Sequence, residues 1–222
     1  MRMFKAELLA KKAVSPNVIE FTYSRPLNFN YLPGQYISIV VDKITNRSYS
    51  LNSPPLNSET ISSLVDISPG GKGTTYLKKM AVGGLITFKG PYGHMILPDK
   101  LDTYKNLNFI ATGTGICPFI SIISHLEGAD FTGKINLLYS EKYQNDLLGL
   151  SNLKIDNIAI SLTREEVKGY NYGRVTAYLK KLPREKALFF ICGNTRMLLE
   201  VIKLLKRDGV KDSKVIYESF YY

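Results

Sequence analysis

The fold turns on the stretch Asn108-Phe109-Ile110-Ala111-Thr112-Gly113-Thr114-Gly115-Ile116-Cys117-Pro118. Its first half is a nearly continuous apolar run, the pattern of a strand covered on both faces in a parallel sheet. Two glycines then let the backbone turn sharply and approach a ligand, and Pro118 suits the first turn of a helix running to about Glu127. A strand, a glycine turn and a helix in that order present free amides to an anion. The common dinucleotide fingerprint carries a third glycine three residues after the second, and Pro118 stands there, so the plain pattern fails. A strand-to-helix turn without a ligand would look much the same.

Downstream, Ile135–Ser140, Asn157–Leu162, Leu188–Cys192 and Lys214–Tyr217 read as four more strands. Helices are expected over about Arg174–Lys181 and over Asn194–Asp208, the second with apolar Met197, Leu198, Val201, Ile202, Leu204 and Leu205. Strands alternating with helices predict an α/β doubly wound parallel sheet. Upstream the pattern is different. Phe4–Lys11, Val18–Ser24, Gln35–Val41, Arg47–Leu51, Ser62–Ile67 and Leu85–Lys89 are short, β-branched and aromatic, and broken by Pro, Gly and Asn. They predict an antiparallel β-barrel. The boundary falls near Leu101–Lys105, giving domains 1–103 and 104–222. Within the barrel, Pro69 to Met80 is a glycine-rich loop opening a short helix, with Thr74 as its expected N-cap. Gly90-Pro91-Tyr92-Gly93 reads as the turn that closes the β region, and the lone His94 after it as structural or surface.

Composition narrows the function classes. The chain has 222 residues, 45% of them hydrophobic, and no apolar run of membrane-spanning length. Its start leads straight into a strand pattern without a signal h-region, and only Cys117 and Cys192 are present. Two cysteines do not make a disulfide framework or a four-thiolate iron–sulfur site, so they read as small buried thiols in a cytoplasmic protein. The formal charge of +10 asks for an acidic partner, either protein or nucleic acid. The bases are interspersed with 19 acids rather than clustered in a tail, which weighs against nucleic acid.

Arg47-Ser48-Tyr49-Ser50 is a short strand that ends before Pro54-Pro55. It alternates a guanidinium and a phenol on one face with two hydroxyls on the other. Such a strand can pair with a phosphate, pack a flat ring and donate a hydrogen bond. An ordinary half-exposed strand would read the same in isolation. In order along the chain come Arg47-Ser48-Tyr49-Ser50, Gly71-x-x-Thr74-x-x-Leu77, Gly90-Pro91-Tyr92-Gly93, Gly113-Thr114-Gly115-Ile116-Cys117-Pro118 and Cys192-Gly193-Asn194-Thr195-Arg196-Met197. Together they resemble the ferredoxin–NADP(H) reductase family, more closely its compact bacterial members.

The resemblance implies FAD and NADP(H) as cofactors. Arg47 and Ser48 would hold FAD, Arg47 through its pyrophosphate, while Tyr49 would pack on the isoalloxazine and Ser50 lie near flavin N5. Gly71, Lys72, Gly73, Thr74 and Thr75 would form the helix N-terminus under the pyrophosphate. Thr112, Gly113, Thr114 and Gly115 would line the NADP pyrophosphate, with Cys192, Gly193 and Arg196 beside the nicotinamide nucleotide. Thr163 and Arg164 would take the 2′-phosphate, although Ser140-Glu141 stands where many bacterial members carry an arginine. In the C-terminal tail, Glu218 would sit near Cys192 and Ser50, Phe220 would be a displaceable lid on the flavin, and Tyr222 would extend toward the FAD. Ser50, Cys192, Glu218 and Phe220 are thus the expected catalytic set. The implied activity is electron transfer between NADPH and an acidic ferredoxin or flavodoxin, with hydride passing to flavin N5 and no metal. An NADH-dependent flavin reductase serving an oxygenase or cytochrome is the alternative among enzymes. Outside that class stand a nucleic-acid-binding barrel and a flavin-bearing regulatory subunit.

Overall fold

The computed structural model describes residues 2–56, 58–129 and 131–220. Period-two burial builds the first unit. Strand β1 (Met3–Ser15) turns Phe4, Ala6 and Leu8 inward and leaves Met3, Lys5 and Glu7 exposed. Around it lie β2 (Val18–Ser24), β3 (Tyr36–Val40), β4 (Asn46–Ser50), β5 (Thr60–Asp66) and β6 (Leu85–Tyr92), in the order β4-β3-β6-β1-β2-β5. All the pairings are antiparallel. A backbone bond of 3.0 Å from Asn52 N–H to the Ser62 carbonyl brings the segment after β4 against β5, so the sheet curls into a nearly closed barrel. Its core is aromatic. Phe29 stands with its ring centroid 5.0 Å from those of both Phe4 and Phe88. Helix α1 (Lys72–Lys79) adds Leu77 to that core.

The second unit is a parallel sheet of β7 (Asn106–Thr112), β8 (Lys134–Glu141), β9 (Asn157–Leu162), β10 (Asn171–Tyr172), β11 (Ala187–Asn194) and β12 (Val215–Phe220). The order β10-β9-β8-β7-β11-β12 runs outward in both directions from β7, so the topological switch point lies between β7 and β11. Helix α2 (Cys117–Leu126) covers one face and α3 (Thr195–Arg207) the other. Asn194 caps α3, its Oδ1 accepting the Met197 N–H at 2.9 Å. On the α3 face, three asparagines lie side by side at the amino end of the sheet. Asn157 Nδ2 donates to Asn136 Oδ1 at 2.8 Å, Asn136 Nδ2 to Asn108 Oδ1 at 3.0 Å, and Asn108 Nδ2 to the Pro183 carbonyl at 2.8 Å. The two units share an apolar core, with Val18, Leu64 and Met95 of the barrel packed beside Phe119, Ile122 and Ile123 of α2.

Five expectations from the sequence change. Thr74 is not the cap of α1. The cap position is Gly71, and the Thr74 hydroxyl donates to the Gly71 carbonyl at 2.9 Å. Gly90, Pro91 and Tyr92 form the end of β6 rather than a turn, with Tyr92 paired to Tyr36. Val175–Lys181 is a 3-10 helix, not an α-helix. β10 is a sixth strand of only two residues, too short to give a periodic signal. The tail expected after Tyr217 is strand as far as Phe220, because Glu218, Ser219 and Phe220 pair with Cys192, Gly193 and Asn194. Tyr221 and Tyr222 lie outside the described residues. No helix among the described residues is long and apolar enough to cross a membrane.

Candidate functional site

A cavity of about 830 Å³ opens between the barrel edge β4 and the sheet edge β12. One wall is Arg47, Ser48, Tyr49 and Ser50 with the loop and first turn of α1, and the other is Thr114, Cys117, Glu218 and Phe220. β4 stands at this wall because it is the last strand of its sheet, paired only with β3 through Tyr36↔Ser50, Ser38↔Ser48 and Asn46↔Val40. The Arg47 guanidinium donates to the Asn46 carbonyl at 2.9 Å and is otherwise open to the cavity mouth. Tyr49 is half-buried, and burial pushes its phenol up to about 12, so it stays neutral.

Helix α1 points its N-terminus at this wall. With the Thr74 hydroxyl turned to a carbonyl, no side chain caps the first-turn amides, which leaves them for an anion. Gly73 sits flush against β4. A Cβ there would overlap the Tyr49 hydroxyl and come within 2.7 Å of Arg47 Cγ. Arg47, Tyr49 and the uncapped amides are therefore one continuous surface. Lys72 lies aside from the cavity wall and reaches Asp42 at 3.6 Å, while the Thr75 hydroxyl donates to the Gly70 carbonyl at 3.3 Å.

The opposite wall is built at the switch point. After Thr112 the chain enters a 3-10 turn (Gly113–Ile116) whose Gly113 has φ +58°, and this turn leads directly into α2. It packs tightly against the end of β11. A Cβ on Gly115 would overlap the Cys192 carbonyl, and one on Gly193, at φ +148°, would overlap Thr112 Oγ1. Cys192 is fully buried, and burial first, then the nearby Glu218, raises its thiol well above the ordinary value. Glu218 is the register partner of Cys192 on β12. Its Oε2 is buried without a hydrogen-bond partner among the described residues, and burial pushes its carboxyl up to about 7. Phe220, half-buried, lines the same cavity and packs on the shared core. The cavity thus collects Arg47, Ser48, Tyr49, Ser50, Gly71, Gly73, Thr74, Thr114, Glu218 and Phe220 of the residues singled out from the sequence.

Of the other candidates, Arg196, Thr163 and Arg164 do not line it. Arg196 is exposed on α3 and paired with Glu200 at 3.3 Å. Thr163 and Arg164 follow β9, where the Thr163 amide donates to the Glu141 carbonyl at 2.9 Å and the Arg164 amide to the Lys142 carbonyl at 3.0 Å. Glu141 turns inward. Its carboxylate accepts from the buried Tyr139 hydroxyl at 2.7 Å, and burial, with Asp146 adding to it, pushes it up to about 7. The cation beside Arg164 is Lys142, exposed at the carboxyl end of the sheet. Sequence reading gave no role to Lys142, the exposed neighbour of Glu141. It also gave no role to Tyr36 and read Cys117 as a small buried thiol, and both line the cavity.

The size and chemistry of the cavity fit a flavin nucleotide: a guanidinium and uncapped amides for a pyrophosphate, and an aromatic strand for a flat ring. Comparison with known families agrees. Residues 5–96 match the oxidoreductase FAD-binding domain and residues 109–203 the oxidoreductase NAD-binding domain. The chain belongs to the ferredoxin–NADP reductase family. As a member of that family it binds FAD and NAD(P). It is 28% identical over 239 aligned positions to ferredoxin–NADP reductase B of Sorangium cellulosum, covering 98% of this chain and 97% of that one. It is 32% identical over 147 positions to the 2-halobenzoate 1,2-dioxygenase electron transfer component of Burkholderia cepacia, covering 64% of this chain but 40% of the relative. This family member therefore spans less than half the length of that relative. In fold it is similar to a ferredoxin NADP+ reductase from Neisseria gonorrhoeae solved with bound FAD and NADP, with TM-score 0.87, 23% identity and 100% of both chains covered.

Proposed function

We propose that this protein passes electrons between NADPH and a one-electron carrier, an acidic ferredoxin or flavodoxin. The observation that carries the NADPH half is the adjacency of Lys142 and Arg164, two exposed cations joined through a backbone bond of 3.0 Å. A doubly charged 2′-phosphate gives both of them a partner, and an unphosphorylated ribose does not. The carrier half is supported by the match to ferredoxin–NADP reductase B, which runs over 98% of this chain. Residues 1–103 serve as the flavin domain and 104–222 as the nucleotide domain, and the two buried thiols suit a cytoplasmic setting.

When bound, FAD supplies hydride acceptance and single-electron release. The chain's own residues do the rest. Arg47 and the first-turn amides of α1, from Lys72 to Thr75, neutralise the pyrophosphate, and Tyr49 with Ser48 supports the ring. Thr112 to Gly115 hold the coenzyme pyrophosphate at the switch point, with Gly193, Arg196 and Thr163 at its flanks. Ser50 offers a hydroxyl to the reacting edge, and Cys192 keeps that pocket narrow and dry. Glu218, titrating near neutrality, holds a proton on its carboxyl beside them. Phe220 covers the ring face and gives way to nicotinamide. Tyr222 is assigned to the FAD side from the resemblance alone.

The second reading is an NADH-dependent reductase component, favoured by the match to the Burkholderia electron transfer component. One measurement separates the two. Purified protein should show a flavin spectrum that NADPH bleaches anaerobically at lower concentration than NADH. Arg164→Ala should raise the KM for NADPH about 10–150-fold, the worth of a lost charge-assisted contact, and leave NADH nearly unaffected. Equal losses for both coenzymes would favour the second reading.

A further inference from the structure

Two side chains of α2 donate to two carbonyls of the segment leaving β4. Cys117 Sγ lies 3.0 Å from the Ser50 carbonyl oxygen, and Ser121 Oγ lies 2.6 Å from that of Ser53. The donors are four residues apart and so share one face of the helix. Both are buried. Ser53 is also gripped from the barrel side. The Tyr31 hydroxyl is 3.1 Å from its carbonyl oxygen and 3.1 Å from its Oγ, and that Oγ accepts the Ser62 N–H at 3.0 Å.

We propose that Cys117 and Ser121 are positioning residues, a two-point clasp that sets strand β4 in register with the glycine turn Gly113–Ile116. The proposal rests on the reading above, in which β4 faces FAD and the turn faces the coenzyme. The apolar core between the units holds them together, but burial of that kind is non-directional. Hydrogen bonds have preferred angles, and two of them along one helix face remove the pivot that a single one leaves. Cys117 is the first residue of α2 and directly follows the turn, so the position of its sulfur fixes the turn. Ser50 is the last residue of β4, so its carbonyl fixes the flavin-side end of that strand. The separation of two bound rings follows from these two anchor points. Burial pushes the Cys117 thiol up to about 12, so it keeps its proton and stays a donor at neutral pH.

The test compares wild type with the C117A/S121A double variant and with C117S, which keeps a donor. Each is purified with FAD and mixed anaerobically with NADPH in a stopped-flow instrument, and visible circular dichroism of the bound flavin is recorded before mixing. The clasp predicts that the double variant retains FAD, shows an altered flavin dichroism, and reduces its flavin about 10–100-fold more slowly at saturating NADPH, with little change in coenzyme affinity. It also predicts that C117S stays close to wild type. A double variant with a lower Tm but unchanged dichroism and limiting rate overturns the clasp and leaves the two residues as packing. Wild-type protein that takes up no FAD defeats the functional reading, and the clasp with it.

Discussion

Among the described residues, Glu141 and Glu218 carry carboxyls that burial shifts strongly toward the protonated form. Each is pushed up to about 7 from the ordinary carboxyl value of 4.5, mainly by burial. Because the folded form favours the proton, this stability is fully present below about pH 4.5 and is lost as pH rises through about 7. Each group then withdraws roughly 1–3 kcal/mol. Thermal denaturation of the apoprotein should show Tm falling between pH 5 and 8, with Glu141→Gln and Glu218→Gln each flattening part of the slope. A slope unchanged in both variants would mean that neither carboxyl titrates there. At this scale the sequence reads well where a side chain has one plausible task. Arg47 and Tyr49 reach the cavity wall together, as their shared face implies, and Ser50 at the strand's end joins them although the alternation places it on the opposite face. It reads poorly where direction decides. Thr74 has the right chemistry for a cap but stands inside the first turn, and Glu141 and Lys142 sit side by side in the chain while only the lysine faces solvent.

Among the elements, the glycine turn is the least forgiving. A methyl group on Gly115 would overlap the carbonyl of Cys192, a backbone atom that cannot rotate away, so the turn must shift off the end of β11. Gly115→Ala should destabilise by about 1–3 kcal/mol, in the range of core overpacking, which for a chain of this size lowers Tm by about 2–12 °C. Gly113→Ala has space around it but a left-handed φ of +58°, so its cost is conformational rather than steric. Calorimetry on the pair should show the larger loss for Gly115→Ala, and equal losses would contradict it. The long apolar strands were legible because burial on both faces leaves an unmistakable run. β10 was not, because two residues carry no period. The end of β12 was not either. Glu218-Ser219-Phe220 looks like a polar and aromatic tail until pairing with Cys192, Gly193 and Asn194 supplies the reason for its extension.

Across the whole molecule, a barrel edge and a sheet edge face one another over one cavity, in a chain whose formal net charge is +10. With an acidic carrier as electron partner, the bimolecular reduction rate should fall steeply between low and moderate ionic strength, since salt screens charge over about 10 Å at 0.1 M. A rate indifferent to salt would exclude electrostatic steering. The two-unit plan was legible from the change of period alone, while the meeting of β4 and β12 was not, because nothing local in either strand encodes the other. The row Asn108, Asn136 and Asn157 has a different consequence, at the edge remote from the cavity. Aliphatic neighbours in a parallel sheet exchange readily, so a strand could slide with little penalty from contacts alone. Amides cannot. A slip of one residue would turn an asparagine to the opposite face and leave the buried Asn108 and Asn136 short of partners, at about 1–3 kcal/mol for each orphaned group. The row therefore acts as a key cut into the sheet, admitting a single alignment of β7, β8 and β9 before any nucleotide arrives.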